Sequence, residues 1–179
     1  MKDNDIIPNI GNYKKLLTYQ KAVIIYDITF YFCNNFLKKG DRTIDQMIQA
    51  ARSGKQNIVE GCSAAPTSAK TEIKLISVAK ASLKELLEDY EDYLRVRGFE
   101  QWKDGSIEKE TMRRIGRECN DYTFYMNKIR SSPSATIANM AIVLLYQEDY
   151  MLFKQLKRLE EDFKKNGGFS ERLYWARKR

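Results

Sequence analysis

The stretch Ser53-Gly54-Lys55-Gln56-Asn57-Ile58-Val59-Glu60-Gly61 decides how this chain folds. It lies inside a run that otherwise has the apolar spacing of an amphipathic helix. Small and polar residues weaken a helix interior, so their presence indicates close packing or a hydrogen bond to a neighbouring helix. The stretch therefore predicts a helix packed tightly against another one, and it carries no reaction motif.

Two sets of small and polar residues recur at spacings of three and four, so each set falls on one helical face: Ser53, Asn57 and Glu60, then Ala79, Ser82 and Glu85. One interpretation is a catalytic or ligand site on facing helices. The other is a buried hydrogen-bonded network that fixes helix register, with Gly54 and Ala79 allowing close approach. The second is favoured, because one carboxylate per helix without histidine makes poor acid–base chemistry.

The amino-acid composition favours a helical protein and disfavours enzymes and metal sites that depend on histidine. The 179 residues include 9 Gly and 3 Pro, which favours helices over strands and turns, and no histidine. The commonest general base and metal ligand is therefore missing. Three cysteines, Cys33, Cys62 and Cys119, have neither paired nor ligand spacing and predict reduced core thiols. We expect no catalytic residues, metal or cofactor.

The positive charge is concentrated at the end of the chain. Of the net +7, residues 164–179 carry +5, from six basic residues and one acidic residue, and the rest is nearly neutral at +2. Aromatic residues among the basic ones are typical of single-strand binding surfaces, although a tail that docks on a protein has the same pattern. The predicted nucleic-acid contacts are Lys164, Lys165, Arg172, Trp175, Arg177, Lys178 and Arg179.

The periodicity predicts an all-α protein with five helices. The first predicted helix spans about 13–39, and the second runs from a cap at Asp41 or Thr43 to the residue before Pro66. The third begins after Thr67 or Ser68 and ends at Gly98, and the fourth spans 107–130. The fifth has a serine cap followed by Pro133 in its first turn and runs to Asn166. Residues 169–179 form another helical turn or stay mobile. The boundary at Ser131-Ser132-Pro133-Ser134 predicts two domains, a four-helix bundle over 12–130 and a helical extension with a basic tail over 131–179.

The first helix is apolar almost all the way round between Val23 and Phe32. Such a helix is covered on more than one side, and another subunit is one source of the second cover. The apolar run from 22 to 33 is shorter than the roughly 20 residues a membrane span needs. No small-residue cleavage site follows the N-terminus. We therefore expect a soluble, cytoplasmic protein that does not enter membranes.

The sequence Asn57-Ile58-Val59-Glu60-Gly61 resembles a motif, Asn-Ile-Ala-Glu-Gly, of the bacterial four-helix-bundle proteins found in 23S ribosomal RNA intervening sequences. Ser53 and the Ala79, Ser82 and Glu85 set match the same family, over roughly residues 17–130. The rest resembles a C-terminal suffix domain of some members. Its matching residues are Asn139, Leu144, Gln147, Leu152, Gln155, Leu159-Glu160, Phe163, Gly167-Gly168-Phe169 and Glu171-Arg172.

This resemblance implies an antiparallel up-down four-helix bundle with an additional long C-terminal helix, assembled as a homo-oligomer and often a pentamer. A related branch contains the accessory protein of diversity-generating retroelements, which binds nucleic acid and a reverse transcriptase. The expected function is thus a non-enzymatic, oligomeric accessory protein that binds RNA or DNA. The alternative is an oligomeric scaffold whose partner is another protein.

Overall fold

The computed structural model describes residues 12–178, without the side chains of Arg172, Trp175 and Ala176, and this part of the chain is entirely helical. A 3-10 turn at Tyr13–Lys15 precedes α1. The α-helices are α1 (Leu17–Phe36), α2 (Arg42–Ala64), α3 (Ala69–Val96), α4 (Ile107–Glu118), α5 (Tyr122–Arg130), α6 (Ser134–Asn166) and α7 (Phe169–Arg177). The predicted all-α class is confirmed.

Side-chain caps begin the helices where the sequence places them. The Asp41 carboxylate accepts a hydrogen bond from the Thr43 amide at 2.9 Å, and the Ser68 hydroxyl accepts one from the Thr71 amide at 3.2 Å. Each bond satisfies an amide that the first turn leaves without a partner. Gly167, with a φ of 68°, ends α6 in a conformation that favours glycine.

The predicted continuous helix over 107–130 is wrong, because the chain leaves the helical conformation at Cys119. Asp121 caps a new helix by accepting a hydrogen bond from the Thr123 amide at 3.0 Å. The Tyr125 hydroxyl donates to the Cys119 carbonyl at 2.9 Å, which satisfies a carbonyl at the break. The break changes the register, so Tyr125 is buried and Tyr122 is exposed.

Four helices, α1, α2, α3 and α6, each pack against two of the others, in the cycle α1–α2–α3–α6–α1. The short helix α4 lies on α6, and α5 lies on α1. The largest buried side chains of this core include Phe32, Tyr90, Met47, Ile58 and Leu86. The first half of α6 is buried almost continuously from Ile137 to Leu145. The division at residues 130 and 131 stays a prediction.

Neighbouring helices of its own chain cover α1 on several sides. It packs against α2, α5 and α6, and Ile24, Ile25 and Ile28 are all buried. Most of its apolar circumference is therefore covered within the chain, whereas the Phe30 side chain is 51% exposed. Among the described helices, none combines the length and apolar character needed to cross a membrane.

Candidate functional site

The polar residues of the opening stretch meet the facing helix as the packing interpretation predicts. The hydroxyls of Ser53 on α2 and Ser82 on α3 lie 2.9 Å apart. The Asn57 amide donates to the Ser53 hydroxyl at 3.1 Å and to the Ser53 carbonyl at 2.9 Å. The network is half-buried rather than fully buried. Its hydroxyls bond to each other and to an amide, and neither is hydrogen-bonded to a carboxylate that could activate it as a nucleophile.

Small residues let α2 and α3 approach closely beside this network. A β-carbon at Gly54 would lie 2.5 Å from Leu83, and one at Gly61 would lie 3.2 Å from Ile76. Ala79 is fully buried. The close contact at Gly54 is therefore with Leu83, one turn beyond the predicted Ala79.

Glu60 and Glu85 belong to the predicted set and lie outside the network. Both are exposed, and neither carboxylate takes part in a hydrogen bond to Ser53, Asn57 or Ser82. Glu85 lines a shallow cleft of about 480 Å³ together with the two serines. The structure thus brings three of the predicted polar residues together and leaves the two carboxylates in solvent.

The predicted nucleic-acid contacts in the tail are only partly within the described residues. Lys164 and Lys165 are exposed in the last turn of α6, and Arg177 is exposed at the end of α7. Lys178 is also exposed, and its amine lies 4.6 Å from the ring centroid of Tyr174. The side chains of Arg172 and Trp175, and the whole of Arg179, lie outside the described residues.

A basic groove that the sequence did not predict runs between α1, α4 and α6. It consists of two adjoining clefts of about 490 and 460 Å³, which share Leu17, Tyr150 and Met151. Seven cationic side chains and no Asp or Glu are among the described residues that line it. The cations are Lys15, Lys21, Lys109, Arg113, Arg117, Lys154 and Arg158.

Some of these cations already have acidic neighbours outside the groove. Asp104 pairs with Lys109 at 3.0 Å and with Arg113 at 2.9 Å, and those contacts hold the pKa of its carboxyl below the usual range. Arg113 also pairs with Glu110 at 2.6 Å. The exposed Arg117 takes part in no ion pair with a described residue, so its charge is fully available to an anion.

Exposed aromatic rings line the α6 side of the groove and continue beyond it. Tyr146, Tyr150 and Phe153 are 47%, 59% and 44% exposed and follow one another at spacings of four and three, so they share a face. Lys154 lies 5.6 Å from the ring centroid of Tyr150. The core face of α6 is supplied mainly by aliphatic side chains between Ile137 and Leu152, so the additional aromatic residues at this spacing were the signal available in the sequence.

A buried lysine and a buried glutamate lie beneath the groove. Lys21 on α1 is 2% exposed, and its amine donates a hydrogen bond to the carbonyl of Gly116 near the C-terminal end of α4. Burial lowers the pKa of Lys21, an effect that nearby Glu148 opposes. Glu148 is fully buried, and neither of its carboxylate oxygens has a hydrogen-bond partner. Burial therefore raises the pKa of Glu148, against the attraction of Lys21.

Within residues 12–178, no group of three or more Cys, Asp or Glu side chains is arranged to hold a metal ion. Burial also raises the pKa of the Cys33 thiol to about 12, which disfavours the reactive thiolate. No family model, curated protein or solved structure matches this chain.

Proposed function

We propose that this protein is a non-enzymatic accessory protein that binds single-stranded nucleic acid, and that the basic groove is its main contact surface. The observation that carries the proposal is the composition of the groove lining, which has six cations besides the buried Lys21 and no carboxylate among the described residues. Phosphates require this sign of charge, and the exposed rings of Tyr146 and Tyr150 offer stacking surfaces for bases.

The basic tail extends the proposed surface. Lys164 and Lys165 lie on the same long helix as Lys154 and Arg158, one to three turns further along. A strand that follows α6 from the groove would reach these lysines after it passes the exposed Glu160, Glu161 and Asp162. In this proposal the groove binds first and the tail adds phosphate contacts.

An antiparallel up-down bundle is the architecture we propose for α1, α2, α3 and α6, with α6 as the fourth member. The order of contacts supports it. Thr18 and Gln155 are hydrogen-bonded at 3.0 Å, and Lys21, further along α1, lies near Glu148, further back on α6. The resemblance to the intervening-sequence proteins also implies an antiparallel four-helix bundle, but it places that bundle within residues 12–130 and makes α6 the additional helix. That family membership, with a homo-oligomer and a pentamer as its expected form, remains our proposal.

A charge-reversal experiment tests the groove. We expect Arg117→Glu combined with Lys154→Glu to weaken binding of a labelled single-stranded oligonucleotide at least about tenfold, and to lower the salt slope by roughly 1.4, at about 0.7 per phosphate contact. Fluorescence anisotropy across a salt series measures both. The matched control is Lys38→Glu with Lys39→Glu, two exposed lysines after α1 that change the net charge equally.

Equal losses in the two double variants would remove the groove from the proposal, because net charge alone would then explain binding. Truncation after Phe163 separates the tail from the groove: we expect weaker binding that still responds to Arg117→Glu. Complete loss in the truncated protein, with the groove variant unaffected in the full chain, would place the site in the tail.

The second candidate function is an oligomeric scaffold for another protein. It is favoured by exposed apolar side chains around the loop between α3 and α4, namely Val96, Phe99 and Ile107, which are 70%, 41% and 83% exposed. A specific protein captured after nuclease treatment, and lost on substitution of Ile107, would support this alternative. Light scattering of the same samples gives the subunit number.

A further inference from the structure

The larger cleft of the basic groove has two walls of different chemistry. On α4, Lys109, Arg113 and Arg117 recur every four residues and face the cleft. On α6, Tyr146 and Tyr150 recur at the same spacing on the opposite side. A ligand in this space meets guanidinium and ammonium groups on one side and exposed rings on the other.

The charge of the cationic wall is concentrated toward Arg117. Asp104 offsets part of the charge of Lys109 and Arg113, as their ion pairs show. Arg117 lies one turn further along α4, and no described residue forms an ion pair with it. An anionic group in the cleft is therefore best placed beside Arg117, with Arg113 contributing as a second donor.

The floor of the cleft is mixed, with apolar side chains beside the polar side chains of Lys21, Asn120 and Gln147. Val143 and Met151 line it from α6. The Lys21 amine is held by the Gly116 carbonyl. Gly116 leaves no space above it, since a β-carbon there would lie 2.1 Å from the amide oxygen of Gln147. Glu148 is not among the residues that line the cleft, and burial raises the pKa of its carboxyl against the attraction of Lys21.

We propose that this cleft holds one nucleotide, with the base against Tyr150 and the phosphate on Arg117. The volume of about 490 Å³ falls in the range of small-molecule sites. The paired walls fit a ligand that has both a flat ring and an anionic group, whereas an acidic peptide would use only the cationic wall. The nucleotide can come from two sources. It is either part of a bound single strand, and the inference then rests on the proposed function, or a free mononucleotide.

A comparison of strands with and without bases tests the role of Tyr150. The probes are a labelled single-stranded oligonucleotide and an abasic sugar-phosphate chain of equal length and charge. We expect Tyr150→Ala to weaken binding of the first by about tenfold, as one lost stacking contact does, and to leave the second unchanged. Arg117→Ala should weaken both. The matched control is Tyr122→Ala, at an equally exposed ring on α5 that lies outside the cleft.

The free-nucleotide arm uses calorimetry with adenosine monophosphate and with ribose 5-phosphate, which lacks a base. If adenosine monophosphate binds, and if Tyr150→Ala and Arg117→Ala each reduce that binding, the cleft is a site for a free nucleotide, even if no oligonucleotide binds. If the base-containing strand binds with equal affinity to the wild type and to Tyr150→Ala, the nucleotide site is overturned and the proposed function stands. If neither strand nor mononucleotide binds, both fall.

Discussion

The close approach of α2 and α3 at Gly54 gives the sharpest prediction about stability. A β-carbon there would lie 2.5 Å from both Cγ and Cδ2 of Leu83, far inside van der Waals contact. Leu83 is itself buried, and crowding a packed core typically costs about 1–3 kcal/mol. Alanine gains about 1 kcal/mol over glycine in a helix interior. We therefore expect Gly54→Ala to lower the free energy of unfolding by about 1 kcal/mol, whereas helix propensity alone predicts a rise of that size.

Urea denaturation followed by far-ultraviolet circular dichroism measures this change, and a double-mutant cycle identifies its cause. Leu83→Ala alone should cost about 2–5 kcal/mol, because it leaves a cavity. In that background the new methyl group meets no branch of Leu83, so Gly54→Ala should become stabilising, with a coupling of about 1–3 kcal/mol. Gly61→Ala is the milder comparison, since its β-carbon would lie 3.2 Å from Ile76. A Gly54→Ala protein more stable than the wild type, or a coupling near zero, would refute the close approach.

Two further predictions concern buried polar groups. Asn139 joins α6 to the loop after α3, because its side chain accepts a hydrogen bond from the Trp102 amide at 2.7 Å and donates one to the Glu100 carbonyl at 3.0 Å. Asn139→Ala should therefore lower the free energy of unfolding, measured in urea, by about 1–3 kcal/mol and shift the tryptophan emission. An unchanged urea midpoint would contradict this role. The folded-state pKa of Glu148 lies above its unfolded value near 4.5, so the folded protein binds the proton more tightly. The stability of the wild type relative to Glu148→Gln should therefore be greatest below pH 4.5 and fall as pH rises through the folded pKa, and a difference that stays constant from pH 4 to 8 would contradict it.

Helix boundaries with local chemical signals were predictable from the sequence, and the break at Cys119 was not. Asp41 and Ser68 are good caps followed by apolar periodicity, so local and longer-range signals agree there. Around Asp121 the two signals conflict, because the apolar spacing continues through the cap. A tertiary contact decides between them: the break buries Tyr125 and lets its hydroxyl reach the Cys119 carbonyl. Periodicity alone carries no information about such a contact.

The motif residues show a similar limit of inference. Helical spacing correctly placed Ser53, Asn57 and Ser82 on facing surfaces, because spacing fixes direction around the helix axis. It does not fix depth in the interface. Glu60 and Glu85 stand toward the edge of the same faces, where a charged side chain reaches water, and a buried carboxylate without a partner would be costly. The prediction therefore gave the correct helical face for the whole set, but it wrongly placed Glu60 and Glu85 in the buried network.

The nearly neutral body of the chain concealed the groove, because net charge is a sum and binding depends on local arrangement. Basic and acidic residues almost cancel outside residues 164–179, so the sequence predicted the anion contacts in the tail. In the fold, α1, α4 and α6 bring cations from three distant parts of the sequence to one groove, while acidic partners such as Asp104 and Glu110 stand behind them. The electrostatic potential in a groove with low-dielectric walls depends mainly on the charges that line it. The groove is therefore positive even though the residues outside the tail carry almost no net charge. The salt dependence of binding should consequently follow the groove cations more closely than the net charge of any variant.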